Sequence, residues 1–335
     1  MTNLPERYRK KGIALALGAG VSCRSGIPDW LTLLERIAKK CGGPDREALV
    51  ETLHRRLGFT LPVVAGMVEN MCPERTFGEL LREALYDKAT FPFYRESRTL
   101  SSSALVRHVR EENRTLAAVG AMCALYDPKK KAFAPNPRIR AIINTNFDAL
   151  LTAYTSARYG KRLIRTIDRP SATPSSHRIN CYHIHGFLQF WDEDSDDPES
   201  EAPDLRVFTE HEFFDFFDRP NSAFNSATLH ILREHVVLFI GLSLQDDNLR
   251  RLLHYSRQER VQSYVREGRE SEATDKSLRH YAFQQSMSPA INRAVEQSLN
   301  RLGVRVLWFS DFAEVPKYLE ALYTDDTERW SDVCP

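Results

Sequence analysis

The sequence contains no run of about 18 apolar residues, so a membrane-spanning helix is excluded. It has no excess of either charge. Forty-six Lys and Arg stand against 45 Asp and Glu, which gives no electrostatic reason to expect direct nucleic-acid binding. Cysteine is sparse: Cys23, Cys41, Cys72, Cys123, Cys181 and Cys334, with no CxxC pair among them. A structural zinc site is therefore not expected from spacing. Scattered thiols at this density fit a reducing cytosol better than a disulfide framework, so a cytoplasmic location is expected. No internal repeat is present. What the chain does have suffices for a sizeable core. With 42% apolar and 27% charged residues it is globular in composition rather than a disordered tail. Its 335 residues accommodate two domains, or one α/β domain carrying a large insertion.

The N-terminus invites a misreading. Charged residues 6–11 followed by the apolar stretch 12–23 have the outline of a signal peptide. That stretch is short, carries three glycines and runs into RSGIPD at 24–29, which does not look like a cleavage site. We read 13–17, IALAL, as a first strand buried on both faces, ending in a tight turn at Gly18-Ala19-Gly20.

Residues 30–40 have helical spacing, with Trp30, Leu33, Leu34, Ile37 and Ala38 on one stripe and Asp29 placed to cap them. From 41 to 127 the pattern is helical with no convincing strand, and Pro44, Pro62, Pro73 and Pro92 divide it into helix-sized segments. Residues 128–137, with three prolines, read as a linker. Strand-like runs follow at 139–143, 163–167 and 181–190, then an acidic loop at 191–204 and helices at 208–217 and 223–233. The strongest strand signal is 235–241; a charged helix at 249–268, a strand at 301–309 and a helix at 312–323 complete the chain. Charges over 255–276 suit a solvated helix better than a partner site. Alternating strands and helices imply an α/β fold: a parallel sheet flanked by helices, with the helical insertion as a second small domain. The expected division is 12–40 with 136–330 as the sheet domain and 41–135 as the inserted one. Such sheets bind ligands beyond the carboxyl ends of their strands, and four polar motifs fall at such ends.

The first is GAGVSCRSGIPD at 18–29. A strand, two glycines and a helix start can place backbone N–H groups against a pyrophosphate. The dehydrogenase fingerprint requires a third glycine where this chain has Cys23, and no acidic residue ends a second strand about 20 residues on. Hydride transfer is disfavoured, and a buried turn using glycine for backbone reasons alone fits equally. The second motif, NTNFD at 144–148, follows the strand 139–143. A helix cap accounts for Asp148, and less well for the whole cluster. The third, YHIHG at 182–186, puts His183 and His185 on one face if the strand runs through them. Two such histidines can ligate a metal, but no third ligand stands at a recognisable spacing, and no metal is expected. A lone strand histidine is most often a satisfied structural residue. His185, before Gly186 at a strand end, is the better candidate for an exposed general base. The fourth motif, FIGLSLQDDN at 239–248, repeats strand, glycine, hydroxyl and polar cap. Ser243 can bond a ribose or phosphate, while Asp246 or Asp247 reads as the cap of the next helix.

Taken in order, these motifs resemble the sirtuin superfamily. The resemblance runs through Gly18 to Trp30, read as GAG-[IV]-S-x-x-[SA]-G-I-P-[DE]-[FW], then through Thr145 to Asp148, His185-Gly186, and Gly241 to Ser243. It spans residues 12–38 and about 137–325. In style the motifs look closest to bacterial sirtuin-like effectors of antiphage defence. The resemblance implies a Rossmann-like sheet that binds NAD between its carboxyl edge and a small inserted domain. It implies that Asn146 positions the nicotinamide ribose and a water, that His185 is the catalytic base, and that Asp148 contacts the carboxamide. By the same resemblance Gly18, Ala19, Gly20 and Ser22 approach the phosphates, and Ser243, beside Gly241, the adenosine-side ribose or phosphate. Asp29 belongs to the same cofactor-binding set. Two departures stand out: the four-cysteine zinc module of protein-deacylating sirtuins is missing, and no FGE-type substrate segment follows His185. Both weaken an acyl-lysine reading.

The implied chemistry is cleavage of NAD at the nicotinamide–ribose bond. Nicotinamide departs neutral from a pyridinium, leaving an oxocarbenium-like centre at C1′, as in glycoside cleavage. Without acetyl-lysine, water is the default nucleophile, and the products are nicotinamide and ADP-ribose. The expected function is thus an NAD glycohydrolase, with NAD as substrate, that depletes host NAD in abortive infection under regulation. The alternatives are a zinc-free protein deacylase or ADP-ribosyltransferase, and a non-catalytic NAD-binding sensor or assembly subunit. The resemblance further implies a homo-oligomer and a regulatory partner, such as a HerA-like ATPase or a short Argonaute.

Overall fold

In the computed structural model the described residues are 4–42, 44–72, 77–87, 101–160, 163–190, 207–218, 222–324, 326 and 330. Helix α1 (Leu4–Lys11) leads into strand β1 (Ile13–Leu17), so the signal-like N-terminus is a charged helix followed by a core strand. All five residues of β1 are at most 1% exposed. Helix α2 (Trp30–Gly42) starts where Asp29 accepts a hydrogen bond from the Thr32 N–H at 2.8 Å, the cap anticipated from sequence. A helical region follows: α3 (Pro44–Glu51), α4 (Leu61–Asn70), α5 (Phe77–Leu85), α6 (Ser102–Glu112) and α7 (Arg114–Cys123). Pro44 and Pro62 fall in first turns, where a missing N–H costs nothing. Pro73 and Pro92 lie outside the described residues, as does the acidic loop at 191–204.

The region is not purely helical. Strands β2 (Ala124–Asp127) and β3 (Ala132–Pro135) form an antiparallel hairpin where a helix end and a linker were expected. Asp127 organises its turn by accepting from the N–H groups of Lys129 and Lys130, and Lys131 takes a left-handed φ of 48°. Then come β4 (Ile139–Asn144), α8 (Leu150–Tyr159), β5 (Ile164–Ile167), β6 (Ile179–His183), α9 (Glu210–Asp218), α10 (Ala223–Glu234) and β7 (Val237–Ile240). The chain continues through α11 (Asp247–Arg266), α12 (Glu270–Lys276), β8 (His280–Gln285), α13 (Pro289–Asn300), β9 (Val304–Phe309) and α14 (Glu314–Tyr323). Strand β8 and helix α13 occupy a stretch the sequence reading left unassigned. β8 ends in two glutamines, which mask its apolar start.

Seven of the described strands form one parallel sheet, in the order β5-β6-β4-β1-β7-β8-β9, a Rossmann-like α/β arrangement. Successive residues of a strand face opposite sides, and two cores follow. Ile13, Leu15, Leu17, Ile142, Leu238 and Ile240 pack on one side with the helical region, α8 and α14. Ala14, Ala16, Ile143, Val237 and Phe239 pack on the other with α9, α10 and α11. Burying each large aliphatic side chain here contributes roughly 1.5–3 kcal/mol, and this two-sided burial explains the near-continuous apolar strands.

The expected strand over 181–190 ends at His183. Beyond it the Ile184 N–H donates to Asn144 O, and the His185 carbonyl accepts from the Val207 N–H at 2.7 Å; Gly186, with a φ of 116°, turns the chain. His183 and His185 therefore do not continue as same-face strand neighbours. One cysteine expectation also fails: Cys41 and Cys72, 31 residues apart, form a disulfide between the ends of α2 and α4. Their closeness comes from helix packing, which spacing does not reveal.

Candidate functional site

Four strands reach their carboxyl ends on one row of the sheet. Ile240 pairs with Leu17, Leu17 with Asn144, and Asn144 with His183. The four motifs leave the sheet just past this row. Strand β1 has β4 on one side and β7 on the other, so the row spans the point where strand order reverses, the usual crevice of such sheets.

At β1 and β7 the contacts are backbone to backbone. The Gly18 N–H donates to Ile240 O at 3.1 Å, and the Gly20 N–H donates to Gly241 O at 3.0 Å. A Cβ on Gly20 would lie 2.8 Å from Gly241 Cα; one on Gly241, whose φ is +68°, would lie 2.7 Å from Val21 N. Glycine is needed because two main chains touch. These two amides donate within the protein rather than outward, so the backbone reading of the glycines fits this geometry. Ala19 opens the 3-10 turn Ala19–Val21. Ser243 is exposed, between a Leu242 carbonyl held by Gln284 and a Leu244 carbonyl held by Arg250. Leu244 is buried in a left-handed conformation (φ 55°), a strained backbone that its burial and the Arg250 bond sustain.

At β4 and β6 the contacts involve side chains. The Asn146 Nδ2 group donates to Gly18 O at 3.0 Å and to Ser22 Oγ at 3.4 Å. Its backbone N–H donates to Asn144 Oδ1, and its carbonyl accepts from His183 Nδ1 at 3.1 Å. With both amide protons committed to the glycine turn, Oδ1 is the atom that can accept from a water or a hydroxyl. His183 is buried; burial pushes its pKa down to about 4, opposed by the bond to Asn146. The ring is neutral with its proton on Nδ1, and Nε2 faces Cys181 Sγ at 3.6 Å. His183 is thus the satisfied structural histidine.

Asp148 is 3% exposed and accepts from the Leu150 N–H at 3.0 Å, at the start of α8. Burial pushes its carboxyl up to about 6, against hydrogen bonds that include those from Leu150 and the Ser22 hydroxyl. Ser22 therefore joins Asn146 to Asp148. Asp29 is exposed in its role as the cap of α2.

His185 is 6% exposed, with Nε2 2.9 Å from Asp246 Oδ2. The edges of Phe213 and Phe216 in α9 meet its ring at centroid distances of 5.7 and 6.4 Å. Phe213 stacks in turn on Trp30, the first residue of α2, directly after the first motif. Asp246 also caps α11: its Oδ1 accepts from the Leu249 N–H at 2.6 Å. Although burial works against ionisation, His185 and the N–H groups of Leu249 and Asn248 hold this carboxyl below its ordinary range.

Three contributors escaped the sequence reading. Asn113 caps α7 through Oδ1 and clamps the first motif from outside, its Nδ2 donating to Val21 O and Ser25 Oγ, both at 2.9 Å. An asparagine before a helical run signals a cap; the second contact, 92 residues away, leaves no such trace. The Tyr86 hydroxyl donates to Leu188 O and accepts from the Ala149 N–H, bridging the helical region to the ends of β4 and β6. Asp246 was recognised as a cap, but not as the partner of His185. Among the described residues no three His, Cys, Asp or Glu gather as metal ligands, and no helix is long and apolar enough to cross a membrane.

Asn146 and His185, each two residues past one rung of a parallel sheet, can be set beside known proteins. No curated protein matches the chain. A family model described as SIR2-like domain, a domain of NAD-utilising enzymes, matches residues 140–307, which hold NTNFD, HIHG and FIGLSLQDDN. That match takes in half of the sequence, and with these motifs inside it the chain belongs to the SIR2-like family.

Proposed function

We propose that this SIR2-like chain is an NAD glycohydrolase that releases nicotinamide and ADP-ribose. The observation that carries the reading is the placement of Asn146 and His185. Each lies two residues beyond the register pair Asn144–His183, at the crevice where the strand order reverses. The acceptor set suits a nicotinamide riboside. Asn146 Oδ1 can accept from a ribose hydroxyl or hold a water, and His185 can take the proton that water loses. In the proposed step a water O–H bond breaks as the oxygen bonds C1′, the proton passes to His185, and the C1′–N electron pair leaves with nicotinamide. The aromatic cover of Phe213, Phe216 and Trp30 limits bulk water beside His185. In this reading Gly18, Gly20 and Gly241 shape the turn, Ala19, Ser22 and Ser243 border the phosphate and ribose side, and Asp148 meets the carboxamide. Asp29 acts through α2. The division into 12–40 with 136–330 and an inserted 41–135 is part of the same proposal. So are a regulated role in antiphage defence in the cytoplasm, a homo-oligomeric state and a separate regulatory partner protein.

The test is nicotinamide release from NAD by the purified chain, with Asn146→Ala and His185→Ala alongside. Release by wild type and its loss in both folded variants is the expected result. A folded His185→Ala variant with the wild-type rate excludes this residue as the base. NAD bound and never cut, with or without a partner, supports a sensor instead, and transfer of acyl or ADP-ribosyl groups on protein supports the deacylase or transferase alternative.

A further inference from the structure

A cap on α11 needs one oxygen, and Asn, Ser or Thr would serve. Asp246 brings two. Oδ1 accepts from the Leu249 N–H at 2.6 Å, and Oδ2 lies 2.9 Å from His185 Nε2. Both Oδ2 and Nε2 are buried, and no other described residue hydrogen-bonds either atom, which leaves them facing each other at 2.9 Å. A buried polar atom with no partner is costly, so this pair is maintained by mutual need. Anchorage of Oδ1 at the head of a 20-residue helix prevents the carboxylate from swinging away. The positive end of that helix and the adjacent N–H groups favour its ionised form. The two Phe rings at the edges of His185 keep the imidazole in place.

We propose that Asp246 is a positioning residue for His185: its carboxylate holds the ring proton on Nε2 and leaves Nδ1 as the nitrogen that accepts the proton of the attacking water. An ionised carboxylate can only accept, so a ring nitrogen 2.9 Å away carries the proton. The other nitrogen then keeps its lone pair. When Nδ1 takes the water proton the imidazole becomes a cation, and Asp246 stabilises it where it forms, the role of the carboxylate in a Ser-His-Asp triad. The source of the proton rests on the glycohydrolase reading; the pairing does not.

The decisive variant is Asp246→Asn in the full-length chain. It keeps the oxygen that caps α11 and nearly the same volume, and removes the charge. Nicotinamide release and the ¹⁵N signals of the His185 ring are measured on the same preparations. The expected result is a fall in kcat of at least about tenfold with KM for NAD within about twofold, since a misheld base slows the step without loosening the substrate. The His185 ring passes from a single Nε2-protonated form to a mixture of tautomers. Asp246→Ser caps through its hydroxyl and must show the same two changes. A wild-type kcat in either folded variant, or an unchanged tautomer in both, overturns the proposal. If the wild-type chain cleaves no NAD with or without a partner, the glycohydrolase reading fails by itself, and the tautomer signals still decide the pairing.

Discussion

The two halves of the candidate site begin on the same row of the sheet and use it in opposite ways. At the ends of β1 and β7 the polar groups are backbone groups that satisfy one another: Gly18 donates to Ile240 and Gly20 to Gly241. At the ends of β4 and β6 they are side chains, each held at one atom: Asn146 through Nδ2, His185 through Nε2. The first half is rigid spacing. On the proposed reading, the second keeps Oδ1 of Asn146 and Nδ1 of His185 for chemistry. A polar motif at a strand end is thus not a ligand site by its residue types alone. What counts is which donors and acceptors remain once the internal bonds are made.

The sharpest way to break this contrast is His185→Ala. If the second half carries the chemistry, NAD cleavage falls by about 10²–10⁴-fold, the range expected for loss of a general base. Nicotinamide release by a variant whose fold is verified by circular dichroism checks it. A rate near wild type would erase the distinction between the halves.

The next effect is on stability against pH. Burial raises the Asp148 carboxyl from 3.8 to about 6, a displacement corresponding to about 3 kcal/mol. The sign follows from linkage. The folded state holds a proton that the unfolded state has lost, so this group's contribution falls as pH rises from about 4 to about 6. Asp148→Asn keeps an acceptor for the Leu150 N–H and removes that slope. Denaturant unfolding of both proteins at pH 4 and pH 7 should show the variant gaining on wild type by up to about 3 kcal/mol as pH rises. A constant difference across the range would mean the carboxyl does not titrate there.

On the other side of the comparison, Gly241→Ala should cost about 2 kcal/mol, from the left-handed backbone and the contact with Val21 N. The loss is read as a lower denaturation midpoint. The rate per folded molecule should hold if β1 and β7 provide spacing alone. A variant as stable as wild type would show that the turns have room to separate.

Much of the sheet was legible because its strands are buried on both faces. IALAL at 13–17 and the run at 235–241 read as buried strands, and the sheet has strands at Ile13–Leu17 and Val237–Ile240. β8, ending in glutamines, and the hairpin of β2 and β3, half exposed around Tyr126 and Phe133, lack that pattern and were missed. At the site, the motifs were visible because each sits within a few residues of sequence. The partners that fix their side chains were not. Asp246 lies 61 residues from His185, and Asn113 reaches back 92 residues to Val21. Local spacing encodes helix periodicity and caps; it carries no record of which two loops the sheet brings together. The disulfide between Cys41 and Cys72 escaped for the same reason.

Asn113→Ser gives the smallest expected effect and the finest probe of the comparison. Serine retains a cap for α7, so the N–H of Leu116 keeps an acceptor. What disappears is the Nδ2 donor shared by Val21 O and Ser25 Oγ, deep behind the glycine turn. Leaving a buried carbonyl without its donor costs about 1–2 kcal/mol, seen as a lower Tm. Because Val21 lies between the two residues that receive Asn146, any loosening of the turn would pass to Asn146 through its bonds with Gly18 and Ser22. If the halves are separable, Tm falls and kcat for nicotinamide release stays within about twofold, since the Asn146 carbonyl remains held by His183. A parallel fall in kcat would show that the glycine half sets the aim of Asn146 and is more than spacing.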